Sequence, residues 1–211
     1  MNSQDLTLKI GEIALRVSKC SDCRLSKTRN LTVPGRGNPT SRIMLIGEAP
    51  GYNEDRQGTP FVGRAGNVLD QLLQSIGLNR RDVFITNMVK CRPPKNRDPQ
   101  VEELNSCSNF LDEQITAIDP SVIITLGRFS FAKFFPDLSL SQSRGTPRIW
   151  KGINIFPMYH PAAALYNPAL RPRLEQDFNK IPKLLEHFWK AGAIKSGTSP
   201  EVTERQLGLF D

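Results

Sequence analysis

Apolar residues recur over positions 4–19 at Leu6, Leu8, Ile10, Ile13, Ala14 and Val17, the spacing of one helix face. The pattern then changes. Ile43-Met44-Leu45-Ile46 is an unbroken apolar run of the length and composition of a buried strand, and it stops at Gly47. Asn67 to Ile76 carries Val68, Leu69, Leu72, Leu73 and Ile76 on one helical face and closes on Gly77 as a C′ residue. Val83 to Val89 is a second strand. A helix starting about Pro99, with the proline in its first turn, runs through Cys107 to Ile118 and stops at Asp119-Pro120. Val122 to Leu126 is a third strand and Arg128 to Phe135 a short helix. Ser139 to Trp150 reads as a polar loop, Ile153 to Tyr159 as a fourth strand. Leu174 to Trp189 is a last helix, kinked or broken at Pro182. Residues 30–42 read as loop, with Pro34, Gly35, Gly37 and Pro39 as breakers.

Strands alternating with helices predict an α/β fold with a mostly parallel sheet. Ligand sites of such sheets lie at the carboxyl ends of the strands. Glu48, Asn87, Gly127 and His160 follow or close the predicted strands, so the fold is expected to bring them to one edge. The chain of 211 residues with 38% hydrophobic content suits one globular domain with a full core. An excess of 28 Lys and Arg over 21 Asp and Glu fits a polyanionic partner. No apolar run reaches the roughly 20 residues of a membrane span. Met1 begins a polar stretch without the features of a signal peptide, so the expected location is cytoplasmic.

The stretch after the first strand, GEAPGYNEDRQGTPFVGRAG, concentrates glycine and acid beside a buried element. Gly47 and Gly51 permit close backbone approach. Glu48, Glu54 and Asp55 are either a solvated acidic loop or part of a site, and loop position favours a site. Phe61 between glycines is either core or a platform for a planar ligand. Asn87 closes an apolar run; it is a cap residue, or it uses its amide, donor and acceptor at once, to read a base edge. His160, one of two histidines, precedes Pro161 at a strand end, where a neutral imidazole can donate to a developing oxyanion.

The four cysteines are Cys20, Cys23, Cys91 and Cys107. In a cytoplasmic chain disulfides are disfavoured. The C-x2-C pair with two further thiols suits one metal centre, and four thiolates hold zinc or an iron–sulfur cluster equally well. Such a centre would tie the first helix to the Cys107 helix and brace the basic loop RPPKNRDP, a structural role.

GEAPGYNEDRQGTPFVGRAG, TNMVKCRPPKNRDP, MYHPAAALYNP and the cysteine spacing together resemble the family 4 uracil-DNA glycosylases, over about residues 6–190. The resemblance implies a three-layer α/β/α fold with a central four-stranded, mostly parallel sheet, and a [4Fe-4S] cluster on Cys20, Cys23, Cys91 and Cys107. It implies an enzyme that hydrolyses the N-glycosidic bond of deoxyuridine in single- or double-stranded DNA, with no lyase step. Glu48 then helps water attack C1′. Gly47, Ala49 and Gly51 line the uracil pocket with Glu54 nearby, Phe61 stacks on the base, Asn87 reads its polar edge, and His160 stabilises charge on O2. Arg64, Arg171 and Arg173 are expected at phosphates. Leu165 is expected either as a wedge in the opened helix or in the core. Tyr52, Ala162 and Tyr166 depart from the family pattern, which often has an acid at the first position and Ser and Arg at the other two. A related branch traps DNA covalently through a histidine; none lies between Cys91 and Cys107, so turnover is expected.

Residues 191–211 read as a flexible tail after a domain of residues 1–190. Its Gln206, Leu207, Leu209 and Phe210 resemble the bacterial sliding-clamp-binding peptide, with packing on the enzyme itself as the other reading. The protein is expected to act as a monomer. Two other classes fit the composition: a non-catalytic iron–sulfur DNA-binding module, and a nucleotide-binding α/β enzyme. The second lacks G-x-x-x-x-G-K-[ST] and G-x-G-x-x-G runs.

Overall fold

The computed structural model describes residues 2–190. In chain order its helices and strands are α1 (Ser3–Lys19), β1 (Arg36–Gly37), β2 (Ile43–Gly47), α2 (Tyr52–Gln57), α3 (Arg64–Ser75), β3 (Phe84–Asn87), α4 (Val101–Ile118), β4 (Val122–Leu126), α5 (Arg128–Ala132), α6 (Leu140–Ser143), β5 (Arg148–Trp150), β6 (Ile153–Met158), α7 (Ala163–Tyr166), α8 (Arg171–Phe178) and α9 (Ile181–Lys190).

One sheet has the order β1-β3-β2-β4-β6-β5. Its four central strands are parallel, as expected, and they carry the apolar runs. Every residue of β2 and β4 is buried, because helices cover both faces. Ile43 and Leu45 point into a core built with Leu69, Leu72 and Leu73 of α3, Leu174 and Phe178 of α8, and Ile181 of α9. Met44 and Ile46 point the other way, toward Leu111, Ile115 and Ile118 of α4. The period-2 alternation of a strand thus builds both halves of a three-layer α/β/α sandwich.

The sheet has six strands rather than four. The two additions are short antiparallel edges. Strand β5 lies inside the stretch expected as loop, which also holds α6. It folds back onto β6 through Lys151 and Gly152, both at positive φ (47° and 80°), a two-residue hairpin turn without the usual Asn-Gly signal. Strand β1 is two residues long and needs glycine: at φ 133°, a Cβ on Gly37 would collide with the Val83 carbonyl oxygen. Pro99 lies outside α4, whose N-cap is Gln100, rather than in its first turn. The last helix is two, α8 and α9, with Pro182 in the first turn of α9 where its missing N–H costs nothing. No helix among the described residues is long and apolar enough to cross a membrane.

Candidate active site

The carboxyl ends of the parallel strands bring four distant residues together. Gly47 pairs in register with Asn87 across β2 and β3. A Cβ on Gly47 would collide with Asn87 Oδ1 and come within 2.7 Å of Phe61 Cζ, so glycine is what lets the amide and the ring close up. Asn87 is 1% exposed, and its Oδ1 is a buried acceptor without a partner. Leaving such an atom unpaired costs about 1–3 kcal/mol, a cost tolerated where a ligand supplies the donor. The Phe61 and His160 rings stack with centroids 5.5 Å apart and planes 25° from parallel. Phe61 also joins the apolar core, as one of its two readings expected.

His160 follows β6. The Ala162 amide donates to its Nδ1 at 3.1 Å, which puts the proton of the neutral ring on Nε2. Burial pushes the imidazole down to about 4, against a smaller upward pull from Glu54. The ring is therefore a neutral donor near pH 7.

Phe61 is held in an uncommon conformation, φ 54°. Arg80 grips the bend: it donates to the Pro60 carbonyl at 2.9 Å and to the Phe61 carbonyl, and Asp70 fixes it at 2.6 Å. Glu54 Oε1 accepts from the amides of Val62 and Gly63, both at 2.8 Å. Its Oε2 lies against Gly51, where a Cβ would approach to 2.7 Å. Glu54 thus acts on the Phe61 loop. Nothing in the sequence flags Arg80 or Asp70.

Glu48 is half-buried, and burial lifts its carboxyl to about 6. Asp98 pushes in the same direction and Arg128 opposes. Those two form an ion pair, so the RPPKNRDP loop and the start of α5 flank the acid. Beneath Asn87 lies Lys90, fully buried. Its ammonium donates to the Asn87 carbonyl (2.8 Å), Thr86 Oγ1 (2.7 Å) and Gln114 Oε1 (2.8 Å). A lysine inside the apolar run MVKC was the visible sign of this contact.

The four cysteines line one cavity, together with Leu25, Val89 and Phe110. Lys90 donates its amide to Cys107 Sγ at 3.3 Å, and Arg29 donates to Cys91 Sγ at 3.2 Å. Among the described residues no three His, Cys, Asp or Glu side chains are arranged as the ligands of one ion. Buried Glu103 ties this region together, pairing with Arg97 at 2.6 Å and Arg24 at 3.2 Å. Ala49 packs against the same apolar cluster as Cys91 and Cys107 and so joins the two sites.

The remaining expected residues are more dispersed. Arg64 is exposed at the start of α3, and Arg173 is exposed on α8. Arg171 bonds Glu175 at 2.9 Å and Gln71 at 2.8 Å. Leu165 is partly buried against the core, and it is the neighbouring Tyr166 that stands out, 89% exposed. Gln206, Leu207, Leu209 and Phe210 lie outside the described residues.

Residues 34–190 match the model of the family described as the uracil DNA glycosylase superfamily. The chain is 50% identical over 185 residues to a type-4 uracil-DNA glycosylase of Sulfurisphaera tokodaii, covering 83% of this chain and 84% of the relative. It is 51% identical over 183 residues to one of Saccharolobus solfataricus, covering 82% and 85%. To one of Thermotoga maritima it is 42% identical over 180 residues, covering 82% and 93%.

Proposed function

The chain belongs to the uracil-DNA glycosylase superfamily, in its type-4 branch, and from that premise we propose how its residues act. It is a uracil-DNA glycosylase: it hydrolyses the N-glycosidic bond of deoxyuridine in DNA, without a lyase step, and so begins base excision repair. The single observation that carries the role of the pocket is the orphaned Oδ1 of Asn87 beside the Phe61 ring.

Uracil presents O2, N3–H and O4 along one edge. Once the nucleotide leaves the stack, at a few kcal/mol, Phe61 covers the base face. Asn87 Oδ1 accepts from N3–H while its amino group donates to O4. The C1′–N1 bond then breaks. Its electron pair goes to the base, whose charge rests largely on O2, and the sugar gains oxocarbenium character. His160 Nε2–H donates to O2 without first becoming a cation. The Glu48 carboxylate faces the sugar charge and orients a water whose oxygen bonds to C1′ as one of its protons passes to that carboxylate. Gly47, Ala49 and Gly51 shape the pocket wall, and Glu54 holds the loop that carries Phe61. Asn87→Ala should lose at least about a hundredfold in uracil release, by the usual cost of a removed polar contact in such a site. Unchanged release would contradict the assignment.

Cys20, Cys23, Cys91 and Cys107 would hold the [4Fe-4S] cluster. Four thiols lining one cavity, with amide and guanidinium donors on two sulfurs, suit a thiolate-held cluster. When bound, the cluster cross-links α1, the loop after β3 and α4. Iron and sulfide analysis of protein purified without oxygen tests this.

Residues 1–190 act as the catalytic domain of a cytoplasmic monomer. The tail, residues 191–211, couples it to the sliding clamp through Gln206, Leu207, Leu209 and Phe210. That reading rests on sequence. Clamp binding that survives deletion of residues 206–211 would overturn it.

A further inference from the structure

The function above does not use Tyr52. Tyr52 opens α2 directly after Gly51, which is in the expected pocket wall, and is 52% exposed. Two arginines from different segments meet its ring. The Arg92 guanidinium, from the loop after β3, lies 5.2 Å from the ring centroid. That of Arg56, one turn along α2, lies 5.6 Å away and also donates to the Tyr52 hydroxyl at 2.8 Å. Asn96 Oδ1 steadies Arg92, accepting from its Nε at 2.7 Å.

Charge separates these two from their neighbours. Arg24, Arg97 and Arg128, around the same loop, are each paired with a carboxylate. Arg56 and Arg92 make no ion pair among the described residues, and a tyrosine face attracts cations without neutralising them. The result is two guanidiniums held against one exposed ring, each with donor hydrogens left over. Arginine forks match phosphate oxygens.

We propose that Arg56, Tyr52 and Arg92 form a phosphate clamp for the DNA strand beside the extruded nucleotide. Arg56 and Arg92 contact backbone phosphodiesters, and Tyr52 is the positioning residue that holds both. The clamp rests on the DNA-glycosylase reading. It bridges α2 and the loop after β3, the segments that follow Glu48 and Asn87 in the chain, so a strand gripped there is fixed relative to the pocket.

The test is the salt dependence of binding to a uracil-free single-stranded oligonucleotide. Arg56→Gln and Arg92→Gln should each weaken binding at low salt and make the plot of log affinity against log salt shallower by roughly 0.7, one phosphate contact on single strands. Lys9→Gln, at an exposed lysine paired with Glu12 on α1, should leave the slope as in the wild type. Tyr52→Leu should weaken binding with a shallower slope, and Tyr52→Phe less so, since it removes only the hydroxyl contact. Wild-type slopes in Arg56→Gln and Arg92→Gln would overturn the clamp. Uracil release by the wild-type protein, measured alongside, tests the enzyme reading separately.

Discussion

The Ala162 amide donates to His160 Nδ1 at 3.1 Å, and this bond decides which ring nitrogen can act on the substrate. With Nδ1 occupied as an acceptor, Nε2 carries the proton. The contact uses the Ala162 backbone, so it does not depend on the side chain at that position. The depressed imidazole has a consequence for pH. An ordinary histidine titrates near 6.5; this one falls to about 4. In nitrogen-edge NMR, His160 should remain the neutral Nε2–H tautomer at pH 5.5. Because its folded value lies below its unfolded one, its contribution to stability is complete above about 6.5 and is lost as pH falls toward 4.

Glu48 should set the acid limb of the rate. Its carboxyl is lifted to about 6, mainly by burial, so single-turnover uracil release should rise with pH through that value and level off above it. The stability effect runs the opposite way. A raised carboxyl favours the fold below the unfolded value and loses that advantage as pH rises through 6. Glu48→Gln should therefore be more stable than wild type at pH 8, by about 1 kcal/mol for a half-buried, partly screened group, and equal to it near pH 4. Denaturant unfolding at both pH values checks the sign.

The strained Phe61 offers a third measurement. Glu54 holds the two amides after it and Arg80 the carbonyls at and before it. Glu54→Ala should cost about 1.5–3 kcal/mol in stability, the scale of hydrogen bonds to a charged group. It should also weaken inhibition by free uracil, because the ring loses its fixed place. If both substitutions act through the ring, Arg80→Met and Phe61→Leu should be non-additive on uracil affinity. Additive losses would mean that Arg80 does not act through Phe61.

Much of this was legible in the chain. The four apolar runs became the parallel strands β2, β3, β4 and β6, and parallel topology then obliged Glu48, Asn87 and His160 toward one edge. Local pattern failed where the structure depends on distant partners. Strand β5 exists because it pairs with β6, and β1 because Gly37 fits against Val83. Arg80 reads as one of two arginines in LNRRD, and only the folded chain shows it at the Phe61 carbonyl. The Asp98–Arg128 pair beside Glu48 joins residues 30 apart, a separation without periodic signature.

The most direct measurement is single-turnover release of uracil from a deoxyuridine-containing oligonucleotide by wild type and His160→Ala, with DNA binding followed in parallel. The account predicts release by the wild type, and for the variant unchanged DNA affinity with a rate roughly 10²–10³ lower, the usual cost of one oxyanion donor. Equal rates for the two proteins, or no release by the wild type, would contradict it.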